Sequence, residues 1–277
     1  MRWREVVRGS VEALKAVNLS SCRLALQKPE YLREYLSFCV RKYDDLIGRG
    51  LTKRSVLKEL GPSDLDLVIV PARFQTGGGT DPREILTLAA VTRLLQPKRV
   101  FEIGTFKGRT TAIFILNSPA ESEIFTLDLP PKVKGLNGYL STDIDLVRDR
   151  RPDGFLTRAG LSGRYEQIYC DSMLFDPEPY RDTIELGFID GAHAEEFVRN
   201  DTMKMAIMMS GCGYVFWHDY GGRGSFQPLS KYLESLPIKL YRVPGTSLAW
   251  TTAAEIKKLA PKPAKSDLLE DLKLRTG

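Results

Sequence analysis

The stretch FEIGTFKGRTT, residues 101–111, decides the fold of this chain. Its apolar start is typical of a buried strand, and Gly104 and Gly108 let the backbone turn sharply toward a ligand before a helix begins. Because Phe106 interrupts the GxGxxG spacing of nicotinamide-cofactor loops, the stretch counts against a dinucleotide. Glu102 beside the loop would repel phosphate and suit a cationic ligand. The stretch therefore predicts a strand-loop-helix unit that faces a positively charged ligand.

Around this unit, apolar strands alternate with helices. Strands are predicted at 99–103, 123–127, 167–170, 184–189 and 213–217, and helices at 81–95, 108–117 and 194–209. Such alternation is typical of a mostly parallel sheet with helices on both faces. The segments 238–243 and 248–252 flank a Pro-Gly turn and predict a hairpin, so that the last strand runs antiparallel.

The first helix of this series has a strong start. Asp81 can cap it, Pro82 suits the first helical position, and Glu84 can reach back to the cap amide. The sequence therefore predicts a capping box at residue 81.

An acidic residue lies at or just after each of the five predicted strands, namely Glu102, Asp128, Asp171, Asp190 and Asp219. In such sheets ligands bind at the carboxyl ends of the strands, near the point where the strand order reverses. Asp128 follows Gly104 by 24 residues, close to the spacing of about 20 at which an acid meets ribose hydroxyls. These acids predict a ligand site at one edge of the sheet.

The motifs EIGTFKG, TLD, CDS, FIDGAH and WHDY, in this order over about residues 80–252, resemble class I S-adenosylmethionine-dependent methyltransferases. The resemblance is to the small-molecule O-methyltransferase branch that includes catechol-type enzymes. It implies a Rossmann-like, doubly wound α/β fold with a seven-stranded, mostly parallel sheet and an antiparallel last strand. It also implies transfer of a methyl group to a hydroxyl of a small molecule, of sugar or natural-product type.

The resemblance further implies which residues bind S-adenosylmethionine. They are Glu102, Gly104, Thr105, Phe106 and Gly108 beside the methionine half, Asp128 on the ribose, Asp171 and Ser172 beside the adenine, and also Leu129, Asp190 and, as a possible adenine contact, His193. His193 could alternatively cap the helix that follows it. The donor is a sulfonium cation, so a pocket of carboxylates suits it better than one of lysines and arginines.

In catechol-type enzymes a divalent ion is held at the positions that are here Asp190, His218 and Asp219. An oxygen-rich set suits Mg²⁺ or a similar ion, but a histidine at position 218 departs from the pattern. His218 is therefore a metal ligand, the general base, since a neutral imidazole can remove a proton near pH 7, or a purely structural residue. Two histidines and a carboxylate could instead form an iron site of hydroxylase type, although His193 is predicted to lie away from the other three residues.

Three regions are predicted: a helical N-terminal extension at 1–75, the methyltransferase domain at 76–254 and a charged tail at 255–277. Residues 1–60 are predicted to be helical throughout, and the helices pack on the main domain or a second subunit, or cap the substrate. The stretch 130–164 is either a substrate lid or an exposed excursion. Four aromatic residues are either substrate walls or core: Tyr139, Phe155, Tyr220 and Phe226.

Composition narrows the class of protein. The 277 residues carry a formal net charge of +5, with the basic excess in residues 1–60 and 255–277 rather than in the body. The four cysteines form no CxxC pair, and no long apolar segment occurs, so we expect a cytoplasmic protein without membrane contact.

The expected partners are a small-molecule acceptor and a second copy of the chain, bound through the N-terminal helices. Nucleic acid is not an expected partner. An RNA methyltransferase and a non-catalytic binding module are the alternatives.

Overall fold

The computed structural model describes residues 50–61, 67–71, 80–131, 139–140, 143–144, 147, 152–221 and 226–261. The predicted helices within 1–49, the glycine run at 77–79 and the tail from 262 lie outside the described residues. The oligomer expected through the N-terminal helices stays a prediction, as do the domain boundaries before residue 80.

The described residues form one sheet of eight strands. In chain order these are β1 Thr52–Lys53, β2 Arg99–Ile103, β3 Glu123–Asp128, β4 Glu166–Tyr169, β5 Ile184–Ile189, β6 Met209–Trp217, β7 Tyr241–Arg242 and β8 Ala249–Thr252. Their order across the sheet is β1-β7-β8-β6-β5-β2-β3-β4. Strand β8 pairs antiparallel with both neighbours and every other pairing is parallel, which confirms the predicted reversed strand.

Six α-helices accompany the sheet in the described residues. They are α1 Pro82–Leu95, α2 Arg109–Asn117, α3 Pro152–Arg158, α4 Glu195–Met208, α5 Gln227–Ser235 and α6 Ala253–Ile256. Helix α1 has the predicted capping box, in which the Asp81 side chain accepts from the backbone of Arg83 and Glu84 accepts from the Asp81 amide. Short 3₁₀ turns lie at Val56–Lys58, Glu178–Tyr180 and Lys257–Leu259.

Each face of the sheet carries its own apolar core. On one face, buried residues of α1, α2 and α3 pack against alternate strand residues such as Val100, Leu186 and Phe188. On the other face, α4, α5 and α6 cover a second set that includes Ile103 and Ile189. Since a strand points successive side chains to opposite faces, apolar runs in β2 and β5 serve both cores. The predicted doubly wound α/β fold is confirmed.

The first strand corrects the prediction that residues 1–60 are helical throughout. Thr52 and Lys53 pair in parallel with β7, which adds an eighth strand to the predicted seven. Contacts with the rest of the fold hold the segment there: the Trp250 indole donates to the Arg54 carbonyl oxygen at 3.0 Å, for example, and Val56 is buried in the core. The pairing partners lie almost 200 residues away in sequence, beyond the reach of local periodicity.

The C-terminal boundary also differs from the predicted one at residue 254. Helix α6 crosses that position, and Ile256 is fully buried in the core. Lys257 donates to the carbonyl oxygen of Met209 at 2.9 Å, so the packed fold reaches the 3₁₀ turn at 257–259. Within the described parts of the chain, no helix is both long enough and apolar enough to cross a membrane.

Candidate active site at the carboxyl ends of the strands

The five acids lie at the ends of five adjacent strands, in the spatial order β6, β5, β2, β3, β4. All four pairings among these strands are parallel, so their carboxyl ends meet at the same edge of the sheet. The order of strands reverses between β2 and β5, and a crevice for ligands opens at such a reversal. The prediction of one ligand edge thus agrees with the topology.

Gly104 brings the ends of β2 and β5 together. Its φ is +101°, and a Cβ at this position would lie 2.0 Å from the backbone oxygen of Asp190. Gly108, with φ +73°, occupies the cap position of α2. Both glycines are therefore required by the backbone, as the motif predicts.

The carboxylate of Asp128 fixes the loop after β2. Its Oδ2 accepts from the Phe106 amide at 2.9 Å, and its Oδ1 accepts from the Leu129 amide at 2.7 Å. Phe106 itself has φ +48°, a left-handed conformation that this hydrogen bond supports. The three predicted cofactor residues Phe106, Asp128 and Leu129 are thus in contact.

Glu102 and Thr105 lie beneath the loop. The buried carboxyl of Glu102 accepts from the Thr111 hydroxyl at 2.5 Å and the Thr126 hydroxyl at 2.7 Å. The Thr105 hydroxyl lies 2.7 Å from that of Thr126. Burial raises the pKa of Glu102 to about 8 against the effect of the threonine hydrogen bonds. Both side chains therefore support the loop from inside.

Residues Asp171 and Ser172 form a tight turn after β4. The Asp171 carboxylate accepts from the Met173 amide at 2.9 Å and lies 3.4 Å from the Tyr139 hydroxyl. The Ser172 carbonyl oxygen accepts from Asn200 at 2.9 Å and also from the Lys204 ammonium. The turn is therefore anchored to α4.

Asp190, His218 and Asp219 come together as predicted. The Nδ1 atom of His218 lies 3.2 Å from Asp190 Oδ1 and 3.2 Å from Asp219 Oδ2. It makes a hydrogen bond to neither oxygen, nor to any other described residue. Asp219 has φ +60°, a conformation that is uncommon for a residue other than glycine and points to a local constraint. The three strand-end residues form one compact group.

His193 belongs to the same group, which corrects the expectation that it lies apart. Its Nε2 is 3.0 Å from Asp219 Oδ2, and its Nδ1 is 2.7 Å from Asp143 Oδ1. The alternative role as a helix cap is wrong, because Ala194 is the cap residue of α4 and no side chain caps it. The ligand atoms of Asp190, His193 and Asp219 all lie within 4.8 Å of one another and could hold a metal ion.

Glu84 is a site residue that the sequence predicts only as part of a helix cap. Its Oε2 lies 3.1 Å from His218 Nε2, while its Oε1 accepts from the amide and the hydroxyl of Ser247. The acid at the third position of α1 was a visible signal, but the contact with His218 spans 134 residues. Asp143, in the stretch 130–164, was missed for the same reason.

The charges of this group shape one another. Burial alone would raise the pKa of Glu84, but the His218 charge and the hydrogen bonds of Ser247 and His218 lower it to about 2. Burial alone would lower the pKa of His193, but hydrogen bonds to Asp143 and Asp219 raise it to about 10. The three acids around His218 raise the pKa of that imidazole well above its usual value despite burial.

The two strand-end acids respond in opposite directions. Burial raises the pKa of Asp190, with the charge of His218 opposing it. Burial would also raise the pKa of Asp219, but the two histidines together hold it well below the usual range. Asp219 is therefore the ionised centre of the group.

The four aromatic candidates divide between core and site. Tyr220 is buried and its hydroxyl donates to Glu234, and Phe155 packs on the core of α1 to α3, so both are core residues. The Tyr139 ring lies 4.3 Å from the Phe197 ring, and the Phe226 ring meets His193 edge-on at 4.7 Å. Only Tyr139 and Phe226 of these four lie at the ligand edge.

Residues 101–220 match the family model of a methyltransferase domain. The match covers less than half of the 277 residues. The matched segment spans β2 to β6 and all five strand-end acids. The match agrees with the prediction of a methyltransferase. No curated protein sequence matches the chain.

Several solved structures are similar in fold. The SAH-bound methyltransferase PaMTH1 of Podospora anserina has 16% identity and a TM-score of 0.48, over 63% of this chain and 79% of that one. A methyltransferase of Geobacter sulfurreducens has 16% identity and a TM-score of 0.42, over 62% and 78% of the two chains. A candidate caffeoyl-CoA O-methyltransferase of Staphylococcus aureus has 14% identity and a TM-score of 0.49, over 63% and 84%.

Proposed function

We propose that this methyltransferase moves the methyl group of S-adenosylmethionine to a hydroxyl oxygen of a small molecule, with help from a divalent metal. One observation carries the proposal. Asp190 and Asp219 face a common imidazole nitrogen at 3.2 Å, beside the glycine loop at the strand reversal. A methyl donor in the crevice and an acceptor hydroxyl at these carboxylates would thus be neighbours.

The donor is proposed to lie over the loop after β2. The Asp128 carboxylate, which two backbone amides hold in place, would accept from the ribose hydroxyls. The turn at Asp171 and Ser172 would border the adenine. A ring of carboxyl groups and backbone oxygens suits a sulfonium cation, because it surrounds the positive charge with negative charge and with the negative ends of carbonyl dipoles.

The metal is proposed to bind at Asp190 and Asp219. The two side chains are 25% and 26% exposed, and their carboxylate oxygens are ligands that a divalent ion prefers. Beside them lies a buried nitrogen, His218 Nδ1, that lacks a hydrogen-bond partner among the described residues. A bound divalent ion would lower the pKa of the acceptor hydroxyl.

His218 is proposed to receive the hydroxyl proton. Glu84 holds its Nε2, so its unpartnered Nδ1 faces the site. The imidazole accepts a proton only when neutral, and a cation at Asp190 and Asp219 favours that form because it offsets their charge. A role for His218 as a metal ligand is the competing assignment.

The transfer itself is a positioning problem. The acceptor oxygen forms a bond to the methyl carbon while the carbon–sulfur bond breaks, and the sulfur keeps that electron pair as the thioether of S-adenosylhomocysteine. The loop, the carboxylates and Tyr139 would align oxygen, carbon and sulfur in one line. An amine of a nucleobase is disfavoured as the acceptor. Methylation of such an amine commonly uses an Asn/Asp-Pro-Pro-aromatic segment whose carbonyls bind it, whereas β5 is followed here by Asp190-Gly191-Ala192-His193.

Calorimetric titration with S-adenosylmethionine and S-adenosylhomocysteine tests the donor site. We expect Asp128→Asn to weaken binding at least tenfold, because a charged hydrogen bond contributes roughly 1.5–3 kcal/mol. Glu121→Gln, in an exposed loop, is the control. Wild-type protein that binds neither compound would overturn the proposed function, and unchanged binding by Asp128→Asn would overturn the ribose assignment.

A further inference from the structure

We propose that His193 is a direct ligand of the divalent metal, together with Asp190 and Asp219, and that the site therefore prefers a transition ion over Mg²⁺. The inference deepens the proposed function and rests on its metal. The sequence raised a metal-ligand role for His193 only in the alternative of an iron site of hydroxylase type.

The first ground is the spacing of the donor atoms. Two donors bound to one ion at about 2.1 Å and at right angles lie about 3 Å apart. His193 Nε2 is 3.0 Å from Asp219 Oδ2, and the ligand atoms of Asp190, His193 and Asp219 lie within 4.8 Å of one another. An ion can therefore reach one oxygen of each acid and the nitrogen with small adjustments of the side chains.

The second ground is the partner on the far side of the ring. Asp143 accepts from the His193 amide at 3.0 Å and lies 2.7 Å from Nδ1, so both the backbone and the ring of His193 are fixed by one buried carboxylate. A carboxylate on the remote nitrogen is the usual support of a metal-binding histidine, because it sets the tautomer and the ring orientation. The edge of Phe226 restrains the ring further. Nε2 is thereby directed at Asp219.

The third ground is the unsatisfied nitrogen of His218. This side chain is 10% exposed, and its Nδ1 lies 3.2 Å from oxygens of Asp190 and Asp219 without a hydrogen bond to either. A buried polar atom without a partner costs free energy, so this nitrogen is placed to take the proton of an acceptor bound beside the acid pair, which leaves the nitrogen ligand to His193. The proton acceptor remains His218, while the third ligand is His193.

An imidazole in the ligand set changes the choice of ion. Sites made only of carboxylates and water suit Mg²⁺ and Ca²⁺, whereas imidazole favours Fe²⁺, Co²⁺, Ni²⁺ and Zn²⁺. The chain has two histidines in all, so any imidazole signal from a bound ion comes from His193 or His218.

The test is pulsed electron paramagnetic resonance of untagged full-length protein loaded with Mn²⁺, with Co²⁺ and Mg²⁺ affinities measured by calorimetry. In the wild-type protein we expect a coupling between the Mn²⁺ electron spin and a nitrogen nucleus, and its frequency should change when histidine carries ¹⁵N. His193→Asn is expected to abolish the coupling, to weaken Co²⁺ binding more than tenfold and to reduce the preference for Co²⁺ over Mg²⁺.

Three further variants complete the design. His218→Asn is expected to keep the coupling, Asp143→Asn to keep it with Co²⁺ binding about tenfold weaker, and Glu121→Gln to change nothing. Coupling that is absent from the wild type, or that survives in His193→Asn and vanishes in His218→Asn, would overturn the assignment. None of these measurements uses a methyl donor, so a chain that binds the ion but no S-adenosylmethionine refutes the proposed function separately.

Discussion

At the scale of single residues, Glu102 shows how burial changes a strand-end acid. Its carboxyl is enclosed between Thr111 and Thr126, and its pKa rises to about 8. It can therefore hold a proton at neutral pH, while Asp219, surrounded by two histidines, stays ionised. The sequence pattern treats both as equivalent acids after strands, and only their surroundings separate them.

The raised pKa of Glu102 predicts how stability depends on pH. In the unfolded chain the group titrates near 4.5, and in the folded chain near 8, so the folded state holds an extra proton between these values. The stabilisation is present below pH 4.5 and is lost as the pH rises through 8, by up to about 1.4 kcal/mol per unit for one proton. Urea unfolding of wild type and Glu102→Gln at pH 5, 6.5 and 8 measures it.

We expect the wild type to lose stability relative to Glu102→Gln as the pH rises, since the amide has no proton to release. Parallel curves for the two proteins would contradict the assignment. Glu123→Gln serves as the control, because that side chain is exposed and pairs with Arg99 at the surface.

Glu84 illustrates what could be predicted at this scale and what could not. Its place in the capping box follows from its spacing to Asp81, a local relation that any helix start repeats. Its second partner, His218, approaches only because β6 ends beside the start of α1. Asp143 likewise contacts His193 across 50 residues. The contacts of both histidines with these carboxylates therefore could not be predicted from local sequence motifs.

At the scale of elements, the strands that were predicted best are those buried on both faces. The bounds of β2 and β5 agree with the prediction because polar residues or glycine stop their apolar runs sharply. Strand β1 was not predicted, since a two-residue strand has no periodicity and exists through its pairing with β7. Helix α5 was not predicted either. The order of the strands was not predicted, because parallel strands carry no local mark of their neighbours.

The approach of β2 to β5 predicts the effect of adding one methyl group. Gly104→Ala would place a Cβ 2.0 Å from the Asp190 oxygen, so the two strand ends must separate. Gly160→Ala is a matched control, because Gly160 also has a positive φ, +70°, but no atom within 4 Å of its ideal Cβ. We expect about 1 kcal/mol of destabilisation for the control, from backbone strain alone, and clearly more for Gly104→Ala.

Measuring the affinity for S-adenosylhomocysteine distinguishes a local change of the loop from a general loss of stability. Gly104→Ala moves the loop that lies over the proposed donor site, so S-adenosylhomocysteine affinity should fall while Gly160→Ala keeps it. Calorimetry and urea unfolding of both variants give the two numbers. Equal effects of the two substitutions on binding would show that the close approach to Asp190 does not shape the site.

At the scale of the whole molecule, the doubly wound sheet explains why distant motifs form one site. Each crossover through a helix returns the chain to the same edge, so five acids from residues 102 to 219 are neighbours. The charge is distributed unevenly along the chain. The formal +5 arises at the two ends of the sequence and not in this acidic body. The net charge of the chain therefore says little about the ligand that its crevice receives.

The end of the fold provides the last prediction. A chain that stops at residue 254 loses Ile256, which is fully buried, and the bond from Lys257 to the start of β6. It also loses Glu255, which accepts from the Lys239 amide at 3.0 Å. A chain that stops at residue 261 keeps every described residue. Because burying an isoleucine contributes about 1.5–3 kcal/mol, we expect the shorter chain to unfold with at least 2 kcal/mol less free energy in urea. Equal stability would place the boundary of the packed domain at 254 and make α6 dispensable to the core.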